Sequence, residues 1–591
     1  MKLSKVSLIG FRSHHATEVQ LQKYTCIIGR NDCGKSAFLR ALRLLLDPRV
    51  RPAAEDLSKI EPLLAEAVIE AEFSDVPLTW PIGTNGGLKL RRRVAGSSLQ
   101  WEVLDLVAAD PDLRKMAAGQ ATKGSIEKSA TISTEIKAEL ASMPGGTLKP
   151  EQWIELFKTI DSKGFVEKIL DWGPIPETTI RELFQVVFLA ADSKAEEEIG
   201  GSKSVFDDLG GMLIREAAKT SYAIATKTAE LQALLSALVE KDDDGKWAYA
   251  PLNKMEEILK GEIALFDKDI TLLHQPTAPV LGDHRFGMTL DVADPYVKGI
   301  GNMGHGLRRS LIFAMLRTFV RMPEIVAPTV TPSDPGEALK ALKPFKLFLI
   351  EEPELYLHPQ AERMRMLELQ QLSTKPQTQV VLCTHSAFFV DLQGHQSIVR
   401  FTRADRAKTD VHGWTGATLN PGERAWLNTL RYFDGGASSM LFADCAVLCE
   451  GATEKLCVPT LAQALGIYDP AFEIVDCNGA GNIQTYQKVL ESLRVPYVIW
   501  VDGDEDKPES KPQAAQKIID LMSNKTAIGV IVVNRHDWED AAGIGAGKKS
   551  EKPLRSWTKF VANGDACPAP LEQALRAVYA RQDLDLRTPS I

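Results

Sequence analysis

Short apolar runs alternate with amphipathic stretches along the chain, and they group into two blocks. Leu3 to Phe11 and Tyr24 to Ile28 read as strands. The second runs straight into Gly29, after which Ala37 to Leu46 puts Leu39, Leu42, Leu45 and Leu46 on one helical face. Asp47-Pro48 ends that helix. Residues 66–73 alternate as a half-buried strand would, and 88–94 and 99–106 continue a meander. From about 110 to 180 the pattern is polar and helical, punctuated by Pro144-Gly145-Gly146 and Gly173-Pro174. Leu183 to Ala190, β-branched and aromatic, returns to strand. Residues 203–280 carry long helical patterns broken by Asp242-Asp243-Asp244-Gly245, which predicts an arm projecting from an α/β core.

Arg308 to Val320 reads as an apolar helix. Lys346 to Ile350 and Gln379 to Cys383 are continuous apolar strands, as in a sheet buried on both faces. A polar segment at about 400–440 then links to a second α/β block. It runs strand 446–449, a helix to Gly466, strand 472–477, a helix near 482–494, strand 497–501, a helix near 512–523 and strand 527–533. The expected organisation is an α/β domain in two parts (1–202 and 284–440), a helical insertion (203–283) serving dimerisation, and a C-terminal Rossmann-like domain (441–591). No short-period repeat interrupts it.

The chain has 591 residues, enough for several domains, and its 44% hydrophobic and 25% charged content excludes a disordered or fibrous protein. With 69 basic against 78 acidic side chains, net charge −9, it is no basic nucleic-acid coat. A nucleic-acid site would have to be a local basic patch or use metal ions to offset acids. No apolar run approaches the ~18 residues of a membrane span, so no membrane partner is expected. Val6 to Phe11 is too short for a signal-peptide core. The eight cysteines form no Cys-x-x-Cys pair, which argues against a disulfide scaffold or structural zinc and makes the reducing cytoplasm the expected location.

Gly29-Arg30-Asn31-Asp32-Cys33-Gly34-Lys35-Ser36 matches the phosphate-loop pattern G-x-x-x-x-G-K-[ST], placed between an apolar strand and a helix. Backbone N–H groups freed by Gly29 and Gly34 would wrap phosphates, with Asn31 in the same loop. Lys35 would reach the outer phosphates and Ser36 would bind Mg²⁺ of a bound ATP. After the strand 346–350 come Glu351 and Glu352, in the place of a Walker B pair: the first acid for the Mg²⁺ shell, the second to polarise water. His385, in Thr384-His385-Ser386 after the next strand, is a candidate γ-phosphate contact. Gly301-Asn302-Met303-Gly304-His305-Gly306-Leu307-Arg308-Arg309 is a glycine loop opening a helix.

In the second block Glu450 ends a strand, and Glu454 follows four residues on, at the i, i+4 spacing of a shared helix face. Asp502-Gly503-Asp504 follows the strand 497–501. Ligands gather at the carboxyl ends of parallel strands, so these acids are expected together, and their mutual repulsion calls for cations between them. All-oxygen donors suit Mg²⁺ or Mn²⁺. His536-Asp537-Trp538-Glu539-Asp540 adds acids at the same edge, and Lys548, Lys549 and Lys552 offer cations for a phosphodiester or its leaving group. The alternative for the lysines is a solvated loop.

The Walker-type motifs together resemble ABC-type ATPases of the structural-maintenance and recombination-repair kind. That resemblance implies a dimer in which Gly304 and Gly306 face the partner's nucleotide. The Glu450 and Asp502-x-Asp504 pattern resembles the Toprim domain, and the two in this order are similar to the OLD (overcoming lysogenisation defect) nuclease family, which includes the Gabija defence nuclease. This resemblance implies metal-dependent DNA cleavage with ATP state controlling the nuclease, and metal ligands at Glu450, Glu454, Asp502, Asp504 and Glu539. It places a late catalytic lysine among Lys548, Lys549 and Lys552, with Lys552 preferred. It also implies anti-phage defence, and some relatives work with a helicase or reverse transcriptase. Two ions are expected: one near Glu450 and Asp502 activating water, one near Glu454 and Glu539 stabilising the leaving oxygen. One rival is a recombination-type DNA-clamp ATPase with a non-cleaving C-terminal domain. A second is a topoisomerase- or primase-like enzyme, although Tyr468, Tyr486 and Tyr497 have no recognisable catalytic setting.

Overall fold

The computed structural model describes residues 1–77, 87–95, 98–117, 121–129, 131–141, 150–163, 165, 168–191, 246–247, 250–263, 271–277, 287–294, 296–299, 313–314, 344–355, 357–390, 398–403, 408–414, 419–423, 435–503, 520–521, 523, 525–545 and 548–587. Contacts divide the chain into two compact units, one of residues 1–24 with 36–383 and one of residues 25–35 with 384–591.

In the first unit, β1 (Lys2–Phe11) pairs antiparallel with β2 (His14–Gln20) and with β4 (Ala67–Ser74). Leu3, Val6, Leu8 and Phe11 of β1 are buried, and the alternation changes phase where the register with β4 shifts between Leu3 and Lys5. The sheet continues through β5 (Leu88–Ala95) and β6 (Ser98–Ala108) to β7 (Lys168–Pro174). Leu90, Arg92 and Val94 of β5 face inward. Outward-facing Arg91 and Arg93 pair with Glu102 of β6, and Arg93 also with Glu66. Trp101 Nε1 donates to the Leu45 carbonyl at 2.7 Å, tying the sheet to the helix Lys35–Leu46.

Between β6 and β7, short helices at Pro111–Ala117, Lys123–Lys128, Thr134–Ala141 and Pro150–Ser162 enclose a small core of Met116, Ile126, Leu140, Trp153 and Ile160. The helical expectation for 110–180 therefore fails at β7. Leu170 is 62% exposed, so this strand carries no apolar alternation, and its pairing with β6 defines it. The helical expectation for 203–280 holds at Ala250–Ile263 and fails at β9 (Thr271–Thr277), which forms a three-stranded antiparallel sheet with β10 (Gly287–Asp294) and β11 (Tyr296–Gly299). The rest of that segment, and the Arg308–Val320 helix apart from 313–314, lie outside the described residues.

Strand β12 (Phe345–Glu351) runs parallel between β8 (Phe184–Leu189) and β13 (Thr378–Cys383). Six of its seven residues are buried, consistent with the continuous apolar run. Buried Gln379 of β13 accepts from Leu3 N–H and donates to the carbonyls of Leu3 and Gln22.

In the second unit, β3 (Tyr24–Ile28) pairs in parallel with β14 (Ile398–Thr402), which pairs antiparallel with β15 (Asp410–Gly413). The expected linker at 400–440 is thus partly sheet. Ile398, Val399 and Phe401 are buried in a run too short to stand out from the polar residues after it.

The second block forms a five-stranded parallel sheet of β16 (Cys445–Cys449), β17 (Phe472–Asp476), β18 (Tyr497–Val501), β19 (Gly529–Val533) and β20 (Leu584–Asp585), in the order β17-β16-β18-β19-β20. Every residue of β16 and β18 is buried. Helices Ala452–Ala464 and Ile483–Ser492 make the crossovers from β16 to β17 and from β17 to β18. The chain passes to one side of β16 and then to the other, so the topological switch point lies between β16 and β18, the position at which open α/β sheets bind ligands.

Candidate nucleotide and metal sites

The phosphate loop leaves β3, all five residues of which are buried. Gly29 has φ +146° and Gly34 φ +100°, and Asp32 between them is also left-handed at +63°. A Cβ on Gly29 would lie 2.3 Å from the Phe401 carbonyl oxygen and 2.8 Å from Cys33 Sγ, so only glycine fits there. Lys35 is buried, and its Nζ donates to the carbonyls of Gly29 (2.7 Å) and Arg30 (2.9 Å). The loop is braced from outside: Arg403 donates to the Asp32 carbonyl at 2.8 Å, Thr409 Oγ1 to the Cys33 carbonyl at 3.0 Å, and Arg30 pairs with Asp444 at 3.3 Å. Arg400, one strand over, donates to the carbonyls of Leu493 and Arg494 just past the helix Ile483–Ser492.

Asn31 and Ser36 sit in and just after this loop. The Thr384 N–H donates to the Ile27 carbonyl at 3.2 Å, which puts exposed His385 at the same edge as the loop. In the first unit Glu351 is the last residue of β12, in register with Cys383. Glu352 follows in a left-handed conformation (φ +44°), with its N–H bonded to the Cys383 carbonyl at 2.8 Å. An uncommon backbone angle at a non-glycine residue marks strained positions that often serve function. Gly304 and Gly306 lie outside the described residues, as does Asp504.

In the five-stranded sheet, Glu450 follows β16 and Asp502 follows β18, the two strands that flank the switch point. The Asp502 N–H donates to Glu450 Oε1 at 3.1 Å. Glu454 lies in the first turn of the helix after β16, buried at 5% exposure. Glu450 precedes the N-cap Gly451, whose backbone is extended, so these two acids meet as strand end and helix start and do not share a helix face as their spacing predicts. Burial, with Glu450 adding repulsion against the pull of Lys552, pushes the Glu454 carboxyl up to about 7. Asp502 is also raised well above the carboxylate range, by burial first and then by the charges of Glu450 and Glu454.

Lys552, at the start of the helix Lys552–Trp557, pairs with Glu539 at 2.9 Å. Burial lowers its ammonium, but Glu454, Asp502 and Glu539 outweigh that and hold it above its usual value. Five expected residues therefore lie in one neighbourhood: Glu450 bonded to Asp502, Glu539 paired with Lys552, and Glu454 close enough to feel Glu450 and Lys552. Among the described residues no three acids yet converge on one point as a ready ligand set.

Asn534, at the end of β19, was not among the expected residues. It is 2% exposed. Its Nδ2 donates to Asp502 Oδ1 at 2.9 Å, and its Oδ1 accepts from Trp500 Nε1 at 3.0 Å. Its place just past the apolar run 529–533 is the same strand-end signal that picked out Glu450 and Asp502. Gly503 packs against this segment: its N–H donates to the His536 carbonyl, and a Cβ there would lie 2.3 Å from the Asn534 carbonyl oxygen.

Residues 1–168 and 178–390 match the AAA ATPase domain family, and residues 441–504 match the TOPRIM domain of proteins like the overcoming lysogenization defect protein. The chain is 30% identical over 229 residues to an OLD nuclease of Thermus scotoductus, a match covering 35% of this chain and 42% of that protein. It is 22% identical over 519 residues to the Old nuclease of Escherichia phage P2, covering 85% of this chain and 77% of that one. A structure of an Smc head domain with an extended coiled coil, bound to the C-terminal domain of ScpA and derived from Pyrococcus furiosus, aligns at TM-score 0.39 and 13% identity over 73% of this chain and 99% of that one. The chain belongs to the AAA ATPase domain family, and its second α/β block is a TOPRIM domain of the overcoming-lysogenization-defect kind.

Proposed function

We propose that the protein is an ATP-regulated, divalent-metal-dependent DNA endonuclease acting in anti-phage defence as a homodimer or higher assembly. The observation that carries this reading is the hydrogen bond between Glu450 and Asp502 at the switch point of the TOPRIM sheet, with Glu454 and Lys552 near enough to shift the Asp502 carboxyl. Carboxyls as buried and crowded as Glu454 and Asp502 hold protons that a divalent cation would displace, and their donors are all oxygen. Such a set fits Mg²⁺ or Mn²⁺. Glu450, Glu454, Asp502 and Glu539 would hold the ions, with Asp504 following Asp502 in the sequence. Ions bound there would supply an activated water and offset the charge on a phosphodiester.

The chain's own groups do the rest. Asn534 holds one oxygen of Asp502 and leaves the other to a ligand, as partners of metal-binding carboxylates commonly do. Lys552, held by Glu539, supplies a fixed positive charge for a phosphate oxygen or leaving group. In the ATPase, the glycine conformations of the loop fit a triphosphate cradle: Lys35 would exchange the Gly29 and Arg30 carbonyls for phosphate oxygens, and Ser36 and Glu351 would take the magnesium side. Glu352 would polarise the attacking water and His385 would meet the γ-phosphate.

The test is incubation of purified protein with supercoiled and linear DNA while Mg²⁺, Mn²⁺ and ATP are varied. Metal-dependent nicking is expected. Intact plasmid under every condition would leave a nucleotide-driven clamp.

A further inference from the structure

Strand β3 and the phosphate loop share a compact unit with residues 384–591, which include the TOPRIM sheet. Arg400 of β14 joins the two. Its backbone stands in register with Ile28, the last residue before Gly29. The next carbonyl along β14, that of Phe401, lies against Gly29, and Arg403 bonds to Asp32. Packing this close leaves no slack, so a displacement of the loop at Gly29 presses on β14. The loop also has two arrangements open to it. Its Gly29 and Arg30 carbonyls accept from Lys35, and a nucleotide that drew Lys35 to its phosphates would free both.

The Arg400 side chain reaches into the TOPRIM half. It is buried, and its Nη1 donates to the carbonyls of Arg494 at 2.8 Å and Leu493 at 3.3 Å. These two residues close the helix Ile483–Ser492. The Val495 N–H turns back to the Leu490 carbonyl and the Arg494 N–H to that of Glu491, with Arg494 left-handed at φ +54°. The Pro496 carbonyl accepts from the Ala446 N–H near the start of β16. Strand β18 begins at the next residue, and its five buried residues run to Asp502, whose N–H is bonded to Glu450. The helix end thus feeds both strands that carry the acids. About 16 Å of strand separates it from them, and close-packed strand transmits a displacement instead of absorbing it.

Helix capping alone does not account for this arginine. A helix end of this form closes on its own backbone bonds, and its outer carbonyls are ordinarily left to water. Among the described residues Arg400 is bonded to carbonyls and to no carboxylate, and burial lowers its guanidinium in spite of the pull of Asp444. A cation buried in that way carries a desolvation cost that a simple cap does not require.

We propose that Arg400 is a positioning residue that carries nucleotide state from the phosphate loop to the TOPRIM centre, by fixing the end of the helix that leads into β18 and Asp502. This rests on the nuclease reading above and deepens it with a route for its regulation by ATP.

The test uses the full chain with Arg400→Met and Arg400→Lys, each checked for folding by circular dichroism. Hydrogen–deuterium exchange of the peptide spanning 493–503 is followed with and without a magnesium-bound, non-hydrolysable ATP analogue, whose affinity is read by calorimetry. Plasmid nicking is measured under the same conditions. In the wild type the analogue is expected to alter exchange in 493–503 and to shift nicking by about 5- to 150-fold. Arg400→Met is expected to bind the analogue as the wild type does, to lose the exchange response, and to nick at one rate with or without it. Arg400→Lys, which keeps a charged donor, is expected to recover part of both responses. Wild-type exchange that ignores the analogue overturns the relay, whether or not Arg400→Met folds. So does a full response in Arg400→Met, or a fall in nicking by the same factor with and without the analogue, which marks a purely structural residue. An exchange response in a wild type that never nicks plasmid supports the relay and sinks the nuclease reading separately.

Discussion

The main-chain N–H of Asp502 donates to Oε1 of Glu450, joining two strand ends 52 positions apart. The bond seats one carboxylate against the backbone that carries the other, so the two move together. Glu450→Ala should abolish plasmid nicking while far-ultraviolet circular dichroism and nucleotide binding are retained. Cleavage at the wild-type rate would remove Glu450 from the site.

Asn534 holds Asp502 from the opposite side. Asn534→Asp keeps an acceptor for Trp500 Nε1 but loses the donor to Asp502 and adds a like charge. Manganese affinity, read by electron paramagnetic resonance, is expected to fall by about 10- to 100-fold, without a comparable change in melting temperature. Unchanged affinity would reduce Asn534 to a packing residue.

Gly503 lies where two strand-end loops touch. Gly503→Ala forces a Cβ to within 2.3 Å of a backbone oxygen, a contact that side-chain motion cannot relieve. A destabilisation of about 1–3 kcal/mol is expected from overpacking of this kind, together with loss of cleavage. Both are measurable by thermal unfolding and plasmid assay.

Much of this centre is legible in the order of residues. Glu450 and Asp502 each follow a buried five-residue apolar strand, and the phosphate loop follows a third. Such runs mark strand ends, and strand ends are where a parallel sheet gathers its chemistry. Asn534 carries the same mark, but an amide has no charge to draw notice. Strand β7 was illegible because its outward Leu170 breaks the alternation. Strand β9 follows helical sequence closely, and its partner β10 comes later in the chain, so pairing and not local propensity decides it. Glu450 and Glu454 have the spacing of a shared helix face, but the extended Gly451 between them starts the helix only after Glu450.

Lys35 should be indispensable for nucleotide. Lys35→Ala removes both the ammonium and its internal bonds to Gly29 and Arg30. Binding of a fluorescent ATP analogue is expected to fall by at least tenfold, and unaltered binding would refute the phosphate-loop role.

Asp56 supplies a pH test. It is fully buried, and although burial alone would raise its carboxyl, Arg40, the Ala53 N–H and Arg12 hold it below the usual 3.8. A lowered carboxylate stabilises the fold above its unfolded value, and the contribution disappears as pH falls through the folded value. Asp56→Asn should therefore cost about 1–3 kcal/mol at neutral pH, and the gap to wild type should close below about pH 4. Denaturant unfolding across that range checks both points.

The salt bridge from Arg30 to Asp444 is open to water on both sides, with 76% and 44% of the two side chains exposed. A bridge of that kind is worth at most about 1 kcal/mol and weakens further in salt. It ties the phosphate loop only lightly to the residue just before the first TOPRIM strand, so the hydrogen bonds from Arg403 and Thr409, and not this bridge, brace the loop.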